Sequence, residues 1–236
     1  MRAQWDPRQI RAILFDAGNT LIFPNYNKLR QSLAKLGIFI EERDFMLAEY
    51  RAKDKLAKVL KTVGEDAHPQ PLILYFDVIF HEMGLPEADL AKTRELVNSR
   101  GTIAELFNNI SPSAYTTLKL LQKWGYILGI VSNADGNLRK ALDKFGLTPY
   151  FHFIIDSKEV NYEKPDPRIF FLALERAGVQ PYEAVHVGDI YPVDVLGAVR
   201  AGIFPVLVDP LGYYNDLDCL SIKSVDELLT LFQKIF

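Results

Sequence analysis

Cysteine and long apolar segments are both scarce in this chain of 236 residues. Its single cysteine, Cys219, excludes an intrachain disulfide and a thiolate metal cluster. No segment approaches the roughly 18 apolar residues that a membrane-spanning helix needs. Residues 1–11 also lack the apolar stretch of a signal peptide. These absences lead us to expect a soluble, cytoplasmic protein with no membrane partner.

An excess of charge of one sign is lacking too. The chain has 27 lysines and arginines against 30 aspartates and glutamates, a formal net charge of -3. The basic residues are spread along the sequence with acids between them, so no basic patch for nucleic acid is indicated. Its four histidines have no metal-ligand spacing, and we expect each, including His186, to be an ordinary core or surface residue.

The order of apolar and amphipathic segments predicts an α/β fold. Ala12-Ile13-Leu14-Phe15 is typical of a buried strand, and from Ser111 onward short apolar runs alternate with amphipathic helices, as in βαβ units. Further strands are predicted at 127–131, 151–155, 184–187 and 205–208, and a last helix at 225–235. This pattern favours a Rossmann-like, doubly wound parallel sheet.

Helical periodicity dominates the stretch between the first strand and the rest. Leu29, Leu33 and Leu36 recur on one helix face, and the prolines in 66–71 predict a break between two later helices. We therefore predict an all-helical cap at 25–108, inserted into a catalytic core formed by 1–24 and 109–236.

Four polar motifs follow the predicted strands or lie in the adjoining loops. They are Asp16, Ser132-Asn133, Lys164 within 161–165, and Gly188-Asp189 followed by Asp194. Each motif alone is weak evidence for a functional site, because such residues often end strands as caps and turns. Ligands of open α/β sheets bind at the carboxyl ends of the strands, so we expect all four motifs to converge there.

This ordered set resembles the haloacid dehalogenase superfamily, and the inserted helices resemble the cap of its helical-cap subclass. The resemblance covers 12–23 and 111–208. It implies a hydrolase with a Rossmann-like core and a mobile cap. It also implies that Asp16 is the nucleophile, that Thr20 supports the first loop, that Ser132 hydrogen-bonds phosphoryl oxygens and that Lys164 neutralises charge. Asn133 would be a lesser loop contact to the substrate.

The same resemblance implies a magnesium site. Its ligands would be Asp16, the backbone carbonyl of Gly18 and Asp189, with Asp194 as a second acidic residue of the metal site. Chemistry agrees, because Mg²⁺ prefers oxygen ligands and keeps several waters. A phosphoryl group under attack also needs nearby positive charge, since an aspartate alone would repel it.

Gly18 departs from the phosphatases of this superfamily, which carry a second aspartate here to protonate the leaving alcohol. General acid–base help of that kind is typically worth about 10²–10⁴ in rate, and glycine cannot transfer a proton. Asn19 also stands where the superfamily usually has glycine. We expect substrate binding to persist and the turnover of alkyl esters to fall.

Three functions stay open. The favoured one is a magnesium-dependent phosphatase that acts on a small phosphorylated metabolite through an aspartyl phosphate at Asp16. The second is a catalytically impaired phosphate-binding or regulatory protein, and the third is a dehalogenase or phosphonatase. The metal-binding pattern of Asp189 and Asp194 argues against the dehalogenase. A phosphonatase would need a desolvated cap lysine, whereas charged neighbours predict solvated side chains for Lys28, Lys35, Lys53, Lys55, Lys58 and Lys61. No oligomeric state is indicated.

Overall fold

The computed structural model describes residues 6–63, 71–99, 107–214, 217 and 219–233. The chain divides into two compact units, one made of Met1–Phe23 with Ile110–Phe236 and the other of Pro24–Asn109. The predicted helix break at 66–71 falls largely outside the described residues. Within those residues, no helix is both long and apolar enough to cross a membrane.

A six-stranded sheet forms the centre of the first unit. Its strands are β1 (Ala12–Phe15), β4 (Ile127–Ser132), β5 (Phe153–Asp156), β6 (Ala184–Gly188), β7 (Phe204–Val208) and β8 (Leu220–Ile222). Their order in the sheet is β5-β4-β1-β6-β7-β8, and all five strand pairs are parallel. The chain builds the sheet outward from β1, first to one side and then to the other. The predicted doubly wound α/β sheet is confirmed, and the switch in winding direction lies at β1.

Helices connect these strands and cover the sheet. They are α5 (Pro112–Lys123), α6 (Leu138–Lys144), α7 (Ser157–Val160), α8 (Pro167–Ala177), α9 (Leu196–Arg200) and α10 (Leu228–Phe232). All four residues of β1 are buried, as expected of a parallel strand covered on both faces. Ile169 and Phe170 of α8 pack in one core with Ala12 and Leu14 of β1.

Sequence periodicity was wrong in three places in this unit. It missed β8 and the short helix α7. The last helix is shorter than predicted: residues Val225–Glu227 form a 3₁₀ turn and α10 ends at Phe232, while 234–236 lie outside the described residues. The segment Tyr191–Val195 winds as a single π-helical turn before α9 begins at Leu196. Such turns are frequent at functional sites.

Helices make up most of the second unit: α1 (Tyr26–Ala34), α2 (Glu42–Val63), α3 (Pro71–Glu82) and α4 (Glu87–Ser99). Phe45, Phe76 and Phe80 form an aromatic core with ring centroids 6.0–6.4 Å apart. Two short strands, β2 (Ile22–Pro24) and β3 (Phe107–Ile110), pair with each other.

One expectation about the lysines of this second unit is wrong. Lys53 is only 3% exposed, with its ammonium 4.9 Å from the Tyr50 ring centroid and 4.0 Å from the Glu49 carboxylate. The reason is the helix period, which places Glu49 and Tyr50 one turn before Lys53 on the same face of α2. Lys28, Lys35 and Lys55 are exposed, as predicted. The side chains of Lys58 and Lys61 lie outside the described residues.

Candidate active site

Three neighbouring strands end in polar residues that meet at one edge of the sheet. Asp16 follows β1, Ser132 ends β4 and Asp189 follows β6, and the sheet order places β1 between the other two. The amide of Asp16 donates to the carbonyl of Val187 at 2.8 Å, which continues the β1–β6 ladder by one residue. The topology thus fixes the backbone of the candidate nucleophile at the winding switch of the sheet.

Two donors hold the Asp16 carboxylate. The ammonium of Lys164 lies 2.6 Å from Oδ1, and the hydroxyl of Ser132 donates to the same oxygen at 2.9 Å. Asp16 and Lys164 are 148 positions apart in sequence, yet both are buried. Because both donors fall on Oδ1, Oδ2 is the oxygen that neither of them engages.

Asn133 determines where the backbone of Lys164 lies. Its side-chain amide donates to the Lys164 carbonyl at 2.9 Å, and its Oδ1 accepts from the Lys164 amide at 2.8 Å. This reciprocal pair resembles one rung of a sheet ladder. A contact of Asn133 with substrate stays a prediction, and in the structure its amide group hydrogen-bonds to the backbone of Lys164.

Lys164 bridges two carboxylates. Its Nζ is 2.6 Å from Asp16 Oδ1 and 2.6 Å from Asp194 Oδ1. Burial disfavours the ammonium form, but the two negative charges outweigh it and raise the pKa of Lys164 above its ordinary value. The lysine therefore stays charged at any physiological pH, as a residue that neutralises a phosphoryl group must.

Asp194 is fully engaged by N–H donors. Oδ1 accepts from Lys164 and lies 2.9 Å from Nε2 of His186, while Oδ2 accepts the amide of Ile190 at 2.9 Å. Burial alone would raise the pKa of Asp194, but Lys164 and His186 together lower it well below its usual range. Asp194 is thus an ionised carboxylate in the interior, held by the π-helical turn that contains it.

Gly188 has a steric reason to be glycine. A Cβ built on Gly188 would lie 2.3 Å from Cγ and 2.7 Å from Oδ1 of Asp194. Real Cβ atoms do not approach other heavy atoms so closely, so only a residue without a side chain lets Asp194 fold back over the end of β6. Packing against Asp194 therefore requires glycine at position 188, the first residue of the Gly188-Asp189 motif.

The carboxylates of Asp16, Asp189 and Asp194 are grouped closely enough to bind a metal ion. One oxygen from each lies within 4.8 Å of the others, and all three residues are buried. Carboxylate oxygens are the ligands that hard cations such as Mg²⁺ prefer. Both oxygens of Asp194 already accept N–H groups.

The turn after β1 carries the remaining predicted residues. Asn19 has φ = 52°, in the left-handed region that glycine and asparagine tolerate best, which explains why asparagine can replace glycine there. A Cβ on Gly18 would meet nothing within 4 Å. Thr20 is fully buried, but among the described residues its hydroxyl has no hydrogen-bond partner. The main chain ties the turn instead, through amides of Leu21 and Ile22 that donate to Ala17.

Two residues near the site were missed by sequence reasoning. Asp156, at the end of β5, accepts the amides of Gly136 at 2.9 Å and Leu138 at 3.3 Å, and so fixes the loop that follows Ser132. His186, expected to be an ordinary core residue, is buried but bonds to Asp194. The sequence position of His186 could have indicated its contact with the site, because it lies two residues before Gly188 and both residues therefore face the same side of β6.

Comparisons with known proteins agree with this arrangement. The family model for haloacid dehalogenase-like hydrolases matches residues 10–202. A glyceraldehyde 3-phosphate phosphatase of Methanopyrus kandleri is 33% identical over 216 residues, which is 89% of this chain and 88% of the relative. A ribulose-1,5-bisphosphate 5-phosphatase of Halopiger xanaduensis is 30% identical over 207 residues, 84% of each chain. Among solved structures, a haloacid dehalogenase-type phosphatase from Thermococcus onnurineus is similar with a TM-score of 0.58, 27% identity and coverage of 94% of this chain and 97% of that one.

Proposed function

This chain belongs to the haloacid dehalogenase-like hydrolases, and we propose that it is a magnesium-dependent phosphatase that acts on a small phosphorylated metabolite. The observation that carries the proposal is the group formed by Asp16, Ser132, Lys164 and Asp189 at one edge of the sheet. The two relatives described above, both named as phosphatases of small sugar or triose phosphates, support the same substrate class.

The chemistry we propose has two displacements at phosphorus. Asp16 attacks with Oδ2, the oxygen that Ser132 and Lys164 leave unengaged, and the bond from phosphorus to the leaving oxygen breaks. Lys164 stabilises the charge on the phosphoryl oxygens, and Ser132 orients the carboxylate. Water then attacks the aspartyl phosphate, which releases inorganic phosphate and restores the Asp16 carboxylate.

The donor set fits a magnesium ion. Asp16, Asp189 and the Gly18 carbonyl are the groups we assign to hold it, and Asp194 serves that site by fixing Lys164 through its own hydrogen bonds. A bound Mg²⁺ would supply positive charge for the phosphoryl oxygens. All of these ligands are oxygen atoms, as magnesium requires.

Gly18 bears on how the leaving group is protonated. We infer that it replaces the second aspartate of the first motif, so the first displacement has no proton donor at this position. Leaving groups with a low pKa need no such donor, whereas alkoxides do. The helical unit Pro24–Asn109 is proposed to be the cap of the helical-cap subclass.

A panel of phosphorylated metabolites and an aryl phosphate, assayed with Mg²⁺ and with excess chelator, tests the proposal. We expect phosphate release that requires the metal and is abolished in Asp16→Asn. Asp226→Asn is a matched control, because Asp226 is an exposed carboxylate whose side-chain hydrogen bonds are with Ser113 and Ser224. Equal activity of the two variants would contradict the assignment of Asp16.

The other hypotheses predict different outcomes in the same panel. Tight binding of a phosphometabolite without turnover would identify a phosphate-binding or regulatory protein. Release of halide from a haloacid, or of phosphate from a phosphonate, would identify carbon–halogen or carbon–phosphorus cleavage. The burial of Lys53 makes the phosphonate assay worth including, with Lys53→Met as its variant.

A further inference from the structure

His186 is joined to the nucleophile by a chain of buried polar contacts. Its Nε2 lies 2.9 Å from Asp194 Oδ1, that oxygen is 2.6 Å from Lys164 Nζ, and the same ammonium is 2.6 Å from Asp16 Oδ1. His186, Lys164 and Asp194 are each at most 4% exposed. We propose that His186 is a positioning residue, which fixes Asp194 and thereby holds Lys164 against Asp16. This inference rests on the proposed phosphatase function.

The direction of the first hydrogen bond follows from the chemistry of its partners. An ionised carboxylate can only accept, so the hydrogen must reside on Nε2 of His186. In the part of the chain that the structure describes, Nδ1 is buried and has no hydrogen-bond partner. A bare acceptor nitrogen is tolerated there more easily than a second N–H donor. The geometry therefore assigns a neutral imidazole with its hydrogen on Nε2.

Packing fixes the plane of the imidazole. The Phe170 ring meets it edge to face, with centroids 4.9 Å apart and an interplanar angle of 82°. Phe170 itself is confined, since a Cβ on Gly197 would lie only 2.8 Å from its ring. A histidine ring held in this way can aim its N–H at one oxygen only.

The arrangement specifies one position for Asp194. Lys164 and His186 share Oδ1, while Ile190 holds Oδ2 from the opposite side. Without His186, Lys164 would be the single donor to Oδ1 among the residues that the structure describes, and the carboxylate could rotate about its side-chain bonds. Lys164 would follow it, because the ammonium is shared between Asp194 and Asp16. The cost would appear in catalysis rather than mainly in folding.

Two substitutions of His186 distinguish a positioning role from a role in packing alone. His186→Gln keeps an N–H donor near the place of Nε2, whereas His186→Leu fills the space without one. We expect kcat on an aryl phosphate to fall about 10–100-fold in His186→Leu, the range seen when supporting residues around metal sites are removed. The KM should change much less, and His186→Gln should recover most of the wild-type kcat.

Leu14→Ala is the matched control, since Leu14 is the cross-strand partner of His186 on β1 and is also fully buried. It should lower thermal stability and leave kcat per folded molecule unchanged. Equal losses of kcat in the Gln and Leu variants of His186, or full activity of His186→Leu, would overturn the proposal.

A measurement without turnover keeps the inference separate from the proposed function. Long-range ¹⁵N–¹H NMR of the histidine side chains, with His186 assigned from the spectrum of His186→Gln, reports which ring nitrogen carries the hydrogen. We expect the Nε2–H tautomer, and a shift of its signals in Asp194→Asn. An Nδ1–H tautomer would refute the positioning role even in an active enzyme. An inactive wild type that shows the expected tautomer would refute the phosphatase function alone.

Discussion

The substitution Gly188→Ala tests whether the close approach of Asp194 to β6 is needed for activity. The new Cβ would lie 2.3 Å from Asp194 Cγ. The optimal van der Waals separation of non-bonded carbon atoms is about 3.5–4.0 Å, so the Asp194 carboxylate must move by roughly 1 Å or more. Lys164 lies 2.6 Å from Asp194 Oδ1, and a shift of that size breaks this contact.

The expected magnitudes follow from burial. Overpacking a core position costs about 1–3 kcal/mol in the free energy of unfolding. Weakening a buried ion pair can add to this, because removing one partner outright costs about 3–5 kcal/mol. Asp194 and Lys164 are both buried. We therefore expect a loss of stability at the upper end of the overpacking range and a fall of kcat of at least about tenfold.

Gly129→Ala is the control for overpacking alone. A Cβ on Gly129 would also meet an atom at 2.3 Å, but that atom belongs to the ring of Phe153 on β5. Urea unfolding and the kcat for an aryl phosphate, corrected for the folded fraction, are the assays. If Gly188→Ala lost stability like Gly129→Ala and kept the wild-type kcat, the role assigned to the Asp194–Lys164 contact would be refuted.

Three further predictions concern the first motif and the buried lysine. Gly18→Asp is sterically allowed, because a Cβ there meets nothing within 4 Å. It should raise activity on alkyl phosphates, by up to about 10²–10⁴-fold, more than on aryl phosphates. Gly18→Asn is its uncharged control, and an equal effect on both substrate types would contradict a missing proton donor. Lys164→Met should abolish turnover and lower the free energy of unfolding by about 3–5 kcal/mol, since it leaves two buried carboxylates facing each other; chemical unfolding and the aryl phosphate assay measure both. The pH dependence of that stability difference follows from the pKa shifts. The pKa of Lys164 is raised above its ordinary 10.5, so its contribution is lost only as the pH rises through the higher folded value. The pKa of Asp194 is lowered from 3.8, so its contribution is lost only as the pH falls through the lower folded value. The contribution of the ionised pair to wild-type stability should thus stay constant from about pH 5 to pH 9. The variant lacks the ammonium that lowers the pKa of Asp194, so the difference between wild type and Lys164→Met should narrow only toward the acid end of this window. A decline of the difference as the pH rises toward about 9 in urea unfolding would contradict the ionised pair.

Local patterns were enough to place the strands of the sheet that carry the site. The run Ala12–Phe15 and the later apolar runs each became a buried parallel strand, because burial on both faces demands continuous apolar sequence. Strand β8 (Leu220–Ile222) escaped detection because its three residues include the exposed polar Ser221. So short a segment has too little periodicity to be distinguished from a loop.

Local patterns could not predict which side chains of the site contact one another. The contact of Lys164 with Asp16 spans 148 positions, and it depends on the order in which the strands assemble. Asp194 could equally have been the first residue of a helix. Its role emerges only when the π-helical turn brings it back over Gly188. The buried state of Lys53 had a local cause, but whether the neighbouring Tyr50 faced inward depended on how α2 packs on α3.

The charges of the site bear on which reaction it can support. Asp16, Asp189 and Asp194 present three carboxylates, and Lys164 is the ammonium placed among them. If His186 is neutral, as its contacts indicate, it does not offset this negative charge. A phosphate dianion would be repelled from such a group unless a divalent cation bound first. Displacement of halide from carbon involves no dianion and has no need of that cation. The clustering of Asp189 with Asp16 is therefore better explained by phosphoryl transfer than by dehalogenation, and chelation should remove activity on every phosphate ester.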